Sequence, residues 1–419
     1  MTQTRDTALP ASHPPPGPWL RLSALAAAAA TAVVVVTGAW PGPPHESAVL
    51  VALALLVGVT LSVWLAHRDR RDLVAASSVA IGLYLTQIAL GAIVAWADVS
   101  SSGGLHVALG AASLAAAAVS AALVLRTGAP ASAASWRDYV TLTKPRIMTL
   151  LLLTAAGGMV VGAGGLPPLG LFLATMGGLA LACGGASALN HYLDRDIDIH
   201  MKRTDRRPVA TGRIAPERAL EFGLALSALS FVVLTSFVNV LAALLAVFGN
   251  LFYVLVYTRW LKRTTPQNIV IGGAAGAIPP LVGWAAATGN LTIPALFLFL
   301  IVFVWTPPHF WALALLIKRD YEAAKVPMLP VVRGDRETAR QIVFYSLLLL
   351  GVTLLPFAWQ TLGLVYLVSA VALGAIFVGL AVALARHTDH EHARRLFSYS
   401  LMYLALLFVA MAVDPIVLS

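Results

Sequence analysis

Asn190-His-Tyr-Leu-Asp194-Arg-Asp196-Ile-Asp198-Ile-His200-Met-Lys202-Arg203-Thr-Asp205-Arg206-Arg207-Pro208 is a polar stretch set between two long apolar runs, and the chain is best read outward from it. It holds four of the 19 acidic residues and five of the 28 basic ones. Asn190, Asp194 and Asp198 recur at i, i+4 and i+8, which stacks them on one face if the stretch is helical. Three oxygen-bearing side chains in such a ladder suit a hard cation. Mg²⁺ characteristically takes one or two carboxylates and completes its shell with phosphate and water. Lys202, Arg203, Arg206 and Arg207 follow at once and are suited to neutralising the same phosphates. Two readings stand here: a metal-diphosphate site, or a solvated loop carrying ordinary charges.

The surroundings of this stretch are those of a membrane protein. Of 419 residues, 59% are hydrophobic and 11% charged, with a mean hydropathy of +0.83. A soluble domain carries about 25% charged residues. Apolar runs of about 20 residues, the length of a membrane helix, recur throughout. They predict thirteen spans, at about 21–40, 47–66, 73–97, 104–125, 146–164, 169–189, 216–236, 238–258, 267–287, 292–316, 341–360, 364–385 and 396–413. The single cysteine, Cys183, lies inside an apolar run, which excludes an intramolecular disulfide and a cysteine metal cluster.

Charge then orients the chain. With thirteen spans, all 28 Lys and Arg fall in alternate connecting segments or within about a turn of them. The opposite segments, 41–46, 98–103, 165–168, 288–291 and 414–419, hold none. This segregation predicts a multi-pass protein of the cytoplasmic membrane with its N-terminus inside, its C-terminus outside and residues 190–215 on the cytoplasmic side. It also accounts for the net charge of +9 without a nucleic-acid partner. The expected fold is an all-α polytopic bundle. A disordered cytoplasmic tail at 1–19 precedes four spans at 20–127, a small-residue linker at 128–135 and nine spans at 136–419.

A second polar loop, Lys318-Arg319-Asp320-Tyr321-Glu322 through Lys325, Pro327 and Pro330 to Arg333, opens at the end of a span on the same side. Two acidic loops on one face can bind a diphosphate from both sides through metal ions. The alternative is a charged loop that orients its neighbours.

These segments carry a resemblance. Asn190-x₃-Asp194-x₃-Asp198 with Arg203-Thr-Asp-Arg206-Arg207-Pro208 resembles the first signature of the UbiA family of membrane prenyltransferases. Further segments resemble the branch of that family that farnesylates protohaem IX. They are Tyr139 to Arg146, Tyr257 to Asn268, Gly272 to Pro280, Trp305-Thr-Pro-Pro-His309-Phe-Trp311, and Asp320-Tyr-Glu322 through Pro330. The resemblance spans about residues 135–415. It implies a Mg²⁺-dependent transfer of the farnesyl group of farnesyl diphosphate to the 2-vinyl group of haem B, giving haem O. By the same resemblance Asn190, Asp194, Asp198 and Asp320 are metal-diphosphate ligands, with Glu322 completing the second set, where Ala324 stands at the usual acidic position. Lys144, Arg146, Arg203, Arg207 and Lys262 are candidate diphosphate contacts, and Tyr257, His309 and Trp311 candidate substrate contacts. The chemistry fits those residue types. Loss of diphosphate leaves an allylic cation, so negative charge must be stabilised on the leaving group and water kept away from the cation. His309 reads either as a haem-pocket residue or as a hydrogen-bonded packing residue. Pro279-Pro280 and Pro307-Pro308 are expected to break or kink their helices. Two rival functions are prenylation of an aromatic quinone precursor and non-enzymatic haem carriage.

The first four spans carry a second resemblance. Gly42-Pro-Pro-His45, Leu85-Thr-Gln87 to Gly91, and Leu105-His106 to Gly110 resemble one four-helix half of haem A synthase. His45 and His106 fall at similar depth and are candidate ligands for a haem bound in this bundle. A complete haem A synthase has two such halves. The segment therefore reads as a structural relic, a haem-binding module or half of an oxidase, with a separate haem A synthase as possible partner. His67, opening the basic loop His-Arg-Asp-Arg-Arg, reads as an interfacial residue.

Overall fold

A computed structural model describes residues 16–37, 43–97, 103–126 and 134–418, and among them every regular element is a helix. Each of the thirteen expected spans overlaps helix among the described residues. Twelve helical segments are long and apolar enough to cross a membrane, judged by length and composition. The remaining one, Gly103–Arg126, has a shorter apolar stretch, Leu109–Leu125. The described residues divide into two compact units, Met1–Ala133 with Ala215–Ala228, and Ala134–Ile214 with Leu229–Ser419.

The first unit contains α1 (Pro18–Thr37), α2 (Pro43–Ala66), α3 (Arg71–Ala97) and α4 (Gly103–Arg126). Each helix packs on its chain neighbour, and α1 closes the ring against α4. Ala24, Ala27, Ala52, Ala80, Ala117 and Ala121 lie at the buried contacts. In lipid, where apolar side chains gain little by leaving hydrocarbon, small residues bind helices together by letting backbones approach. A cavity between the helices, lined by Ala24, Leu56, Ser77 and Ala117 among others, has room for about one water molecule. His45 is half-buried at the start of α2. The side chain of His106 lies outside the described residues, and so does the expected histidine pair. His67 is not interfacial: it is 1% exposed, and its Nε2 lies 2.6 Å from Glu221 Oε1. Glu221, equally buried, also accepts the Gly17 N–H at 3.0 Å. Burial of two ionisable groups is tolerated because each satisfies the other.

The second unit begins with α5 (Trp136–Leu142), α6 (Pro145–Ala163), α7 (Leu169–Leu193) and the single turn α8 (Arg195–Asp198). α9 (Pro216–Phe237) spans the division between the units. Then come α10 (Val240–Leu251), a π-helix (Phe252–Leu261), α11 (Lys262–Thr264), α12 (Asn268–Thr288), α13 (Ile293–Leu316), α14 (Lys318–Ala323) and α15 (Leu329–Val332). The unit ends with α16 (Asp335–Thr353), α17 (Leu355–Ala358), α18 (Leu364–His387) and α19 (His390–Leu418). α12 is central, packed on α6, α10 and α13. A Cβ at Gly283 would stand 1.9 Å from the Ala155 carbonyl oxygen, and one at Gly158 2.4 Å from that of Pro280. Only glycine permits this approach of α6 and α12.

Three expectations are corrected. α12 and α13 run through Pro279-Pro280 and Pro307-Pro308 without breaking, with all four prolines buried among neighbouring helices. α16 and α19 begin six residues before the apolar runs expected at 341 and 396. Their first turns carry Asp335 and Glu337, and Glu391, and negative charge at a helix N-terminus is favourable. The span expected at 238–258 is α-helical only to Leu251 and then winds as the π-helix.

Candidate metal-diphosphate site

α7 ends at Leu193 and α8 starts at Arg195, yet the four-residue spacing survives the break. Asp194 N–H donates to the Asn190 carbonyl at 2.8 Å, and Asp198 N–H to the Asp194 carbonyl at 2.9 Å. Asn190, Asp194 and Asp198 are 3%, 0% and 2% exposed, so these are interior polar groups and not a solvated loop. A buried carboxylate must be paired, and cations from distant segments supply the pairing. Lys144 Nζ donates to Asn190 Oδ1 at 2.7 Å, and Lys262 Nζ to Asp194 Oδ2 at 2.6 Å. Arg207 Nη1 donates to both oxygens of Asp198 at 2.8 Å. Arg263 grips Asp196 through both terminal nitrogens at 2.6 and 2.7 Å and comes within 3.7 Å of Asp194 Oδ1. That bidentate contact holds the Asp196 carboxyl below its ordinary pKa.

Lys144 reaches Asn190 from a left-handed backbone conformation, φ 50°, at the junction of α5 and α6. Leu142, two residues earlier, is anchored by Ser187 Oγ, which donates to its carbonyl at 2.6 Å. Removal of the Lys144 ammonium from water, reinforced by the charge of Arg207, lowers its pKa well below that of a free lysine.

The residues fit a magnesium ion, though as a smaller set than the spacing suggests. Among the described residues no three His, Cys, Asp or Glu side chains gather closely enough to hold a metal by themselves. Asp198 is turned to Arg207 instead of joining Asp194. Asn190 and Asp194 remain, linked by Asn190 Nδ2 donating to Asp194 Oδ2 at 2.7 Å. Asp194 Oδ1 is buried and has no hydrogen-bond partner. A buried carboxylate oxygen with no hydrogen-bond donor, only the Arg263 guanidinium 3.7 Å away, has capacity for a cation that shares its shell with phosphate.

The other expected residues separate into two groups. Asp320, half-buried, accepts the Arg203 backbone N–H at 3.3 Å and so ties the 199–214 segment to α14. Tyr257 is stacked on Tyr253 at 5.5 Å and lies over Gly272. By contrast, Glu322 and the side chains of Arg203 and Arg146 are exposed and are not gathered into the cluster. Trp311 is buried against Tyr345, ring edge to face at 5.4 Å. His309 Nδ1 lies 2.6 Å from Ser400 Oγ, and its ring is stacked between Trp305 at 4.3 Å and Phe397 at 4.9 Å. Both faces of the imidazole are thereby covered.

Sequence reasoning did not single out Thr258, Arg263, Asp196 or His191. Asn190 Nδ2 also donates to Thr258 Oγ1 at 3.2 Å. His191 is 1% exposed, with neither ring nitrogen partnered. The adjacency of Arg263 to Lys262 was the one available signal. Nothing local marks Thr258.

The sequence profile of the UbiA prenyltransferase family matches residues 151–407. The chain belongs to the UbiA prenyltransferase family. A protein named protoheme IX farnesyltransferase from Symbiobacterium thermophilum is 58% identical over 280 residues, 66% of this chain and 94% of that one. A protein of the same name from Roseiflexus castenholzii is 44% identical over 413 residues, 91% of this chain and 77% of that one. A match of that length reaches into the first four helices. Among solved structures, a UbiA homologue from Archaeoglobus fulgidus bound to GPP and Mg²⁺ has a TM-score of 0.51 at 15% identity, covering 65% of this chain and 99% of that one. That likeness establishes the shared prenyltransferase fold.

Proposed function

We propose that this chain transfers the farnesyl group of farnesyl diphosphate to the 2-vinyl group of protohaem IX, giving haem O, with Mg²⁺ and on the cytoplasmic side of the cell membrane. The observation that carries the reading is the buried Asn190–Asp194 pair, with ammonium groups of Lys144 and Lys262 drawn onto its oxygens. Farnesyltransferases 58% and 44% identical to this chain supply the substrate class. The cytoplasmic placement is supported by the distribution of Lys and Arg along the chain.

Asn190 and Asp194 would hold Mg²⁺, which supplies charge stabilisation on the departing diphosphate. Lys144, Lys262 and Arg207 bind and orient that diphosphate, and a rigid cluster of cations favours the charge that grows on it as the C–O bond breaks. The allylic carbon then bonds to the terminal vinyl carbon of haem. Water captures the resulting cation at the carbon next to the ring and releases one proton, which leaves the hydroxyethylfarnesyl group. Tyr257, half-buried and stacked on Tyr253, supplies a wall that keeps water from the allylic cation earlier in the sequence. His309, hydrogen-bonded to Ser400 and covered on both faces, supports the packing between Trp305 and Phe397.

We assign this activity to residues 136–419, with residues 20–127 a companion four-helix module, into which the match to the Roseiflexus castenholzii relative extends. The test is mass spectrometry of purified protein incubated with haem B, farnesyl diphosphate and Mg²⁺. Haem O that depends on both Mg²⁺ and Asp194 is the expected product. Folded protein that yields none overturns the reading.

A further inference from the structure

Thr258 is fully buried, on a π-helix that follows α10 where apolar periodicity alone would continue an α-helix. π-Helical turns are rare and recur at functional sites. Two rungs join this segment to the end of α7. Thr258 Oγ1 accepts from Asn190 Nδ2 at 3.2 Å, and four residues on Lys262 Nζ reaches Asp194 Oδ2 at 2.6 Å. The same four-residue step separates Asn190 from Asp194.

The hydrogen-bond inventory of Asn190 settles which way its amide faces. The side chain has two N–H donors and one carbonyl oxygen. Asp194 Oδ2 takes one donor at 2.7 Å and Thr258 Oγ1 the other. The carbonyl oxygen then faces Lys144 Nζ, which donates to it at 2.7 Å. Asn190 Oδ1 is thus already aimed at a cation. Rotating the amide by half a turn would point its N–H₂ at that cation, set its carbonyl oxygen against the Asp194 carboxylate and lose the N–H that Thr258 Oγ1 accepts.

We propose that Thr258 is a positioning residue: it holds the Asn190 amide so that Oδ1, not Nδ2, is presented to the metal-diphosphate centre. The inference rests on the metal-diphosphate reading of the site. Outer partners of metal ligands act in this way, and their loss costs about 10–100-fold in metal affinity.

The test is Mg²⁺-dependent binding of farnesyl thiodiphosphate, an unreactive analogue, to the purified full chain, followed by calorimetry. Thr258→Val keeps the shape and removes the acceptor. It is expected to raise the Mg²⁺ concentration for half-maximal binding about 10–100-fold, whereas Thr258→Ser restores the unmodified value. In an Asn190→Asp background, where both outer atoms are oxygen, Thr258→Val is expected to have no further effect. A packing role for Thr258 would act equally in both backgrounds. If Thr258→Val does not fold, Thr258→Ala removes the same oxygen without adding a methyl group and carries the same expectation. An unchanged Mg²⁺ requirement in the acceptor-free variant, or an equal shift in the Asn190→Asp background, overturns the inference. Failure of the unmodified protein to bind the analogue with Mg²⁺ would instead overturn the proposed function.

Discussion

Lys262 Nζ lies 2.6 Å from Asp194 Oδ2, an oxygen that also accepts the Asn190 amide, while Asp194 Oδ1 has no hydrogen-bond partner. One carboxylate is therefore divided. One oxygen is held by two donors, and the other has only the Arg263 guanidinium 3.7 Å away.

Asp194→Asn should keep the shape and remove the charge, lowering haem O formation by about 10²–10³-fold with folding nearly unchanged. Asp194→Ala should cost in addition about 3 kcal/mol of stability, because it strands the Lys262 ammonium away from water. Product mass spectrometry and thermal melting of the two variants separate these effects. Equal turnover in Asp194→Asn and the unmodified protein would remove Asp194 from the chemistry.

Asp320 and Glu322 should behave differently although they are two residues apart. Asp320 secures the 199–214 segment through Arg203 N–H, and its loss lets Arg207 drift. Displacement of a positioned group by about 1 Å can cost about 10²-fold in rate, and Asp320→Ala is expected to fall near that figure. Glu322 is exposed, and Glu322→Ala should stay within about twofold of the parent. Parallel turnover measurements decide it, and a large loss in Glu322→Ala would return that residue to the metal shell.

His67→Ala takes its imidazole partner from Glu221, which stays buried and accepts the Gly17 N–H. The expected loss is about 3 kcal/mol, seen as a lower melting temperature, with His67→Gln recovering part of it by keeping a donor. Full stability in His67→Ala would show that Glu221 relaxes to water.

Acid should weaken the domain through two carboxyls outside the spans. Asp196 is held below its usual pKa of 3.8 by Arg263, and Asp138 by the Ser135 backbone N–H and then by Ser135 Oγ and Arg213. A group with a depressed native pKa binds fewer protons folded than unfolded. Its stabilisation is present above pH 3.8 and is lost as pH falls through the lower folded value. Melting temperatures between about pH 6 and pH 2.5 should decline below about pH 4. In Arg263→Met the Asp196 share of that decline should disappear.

The sequence by itself determined the membrane class, the order of the helices and the Asn190–Asp194–Asp198 ladder. Each is written in local spacing: hydrocarbon thickness demands about 20 apolar residues, and a helix turn brings residues four apart together. Only the tertiary structure decided which cation meets which oxygen. Lys144 and Lys262 reach the ladder across 46 and 68 residues of chain, and no spacing rule relates them. It also decided that Asp198 faces Arg207, that Arg146 and Glu322 turn outward, and that His309 is enclosed by Trp305 and Phe397. Thr258 was hidden for a further reason. The π-helix changes the winding after Leu251, so the face presented there differs from the one that α-helical periodicity predicts. That segment packs against α7 and α12, contacts that local periodicity does not encode.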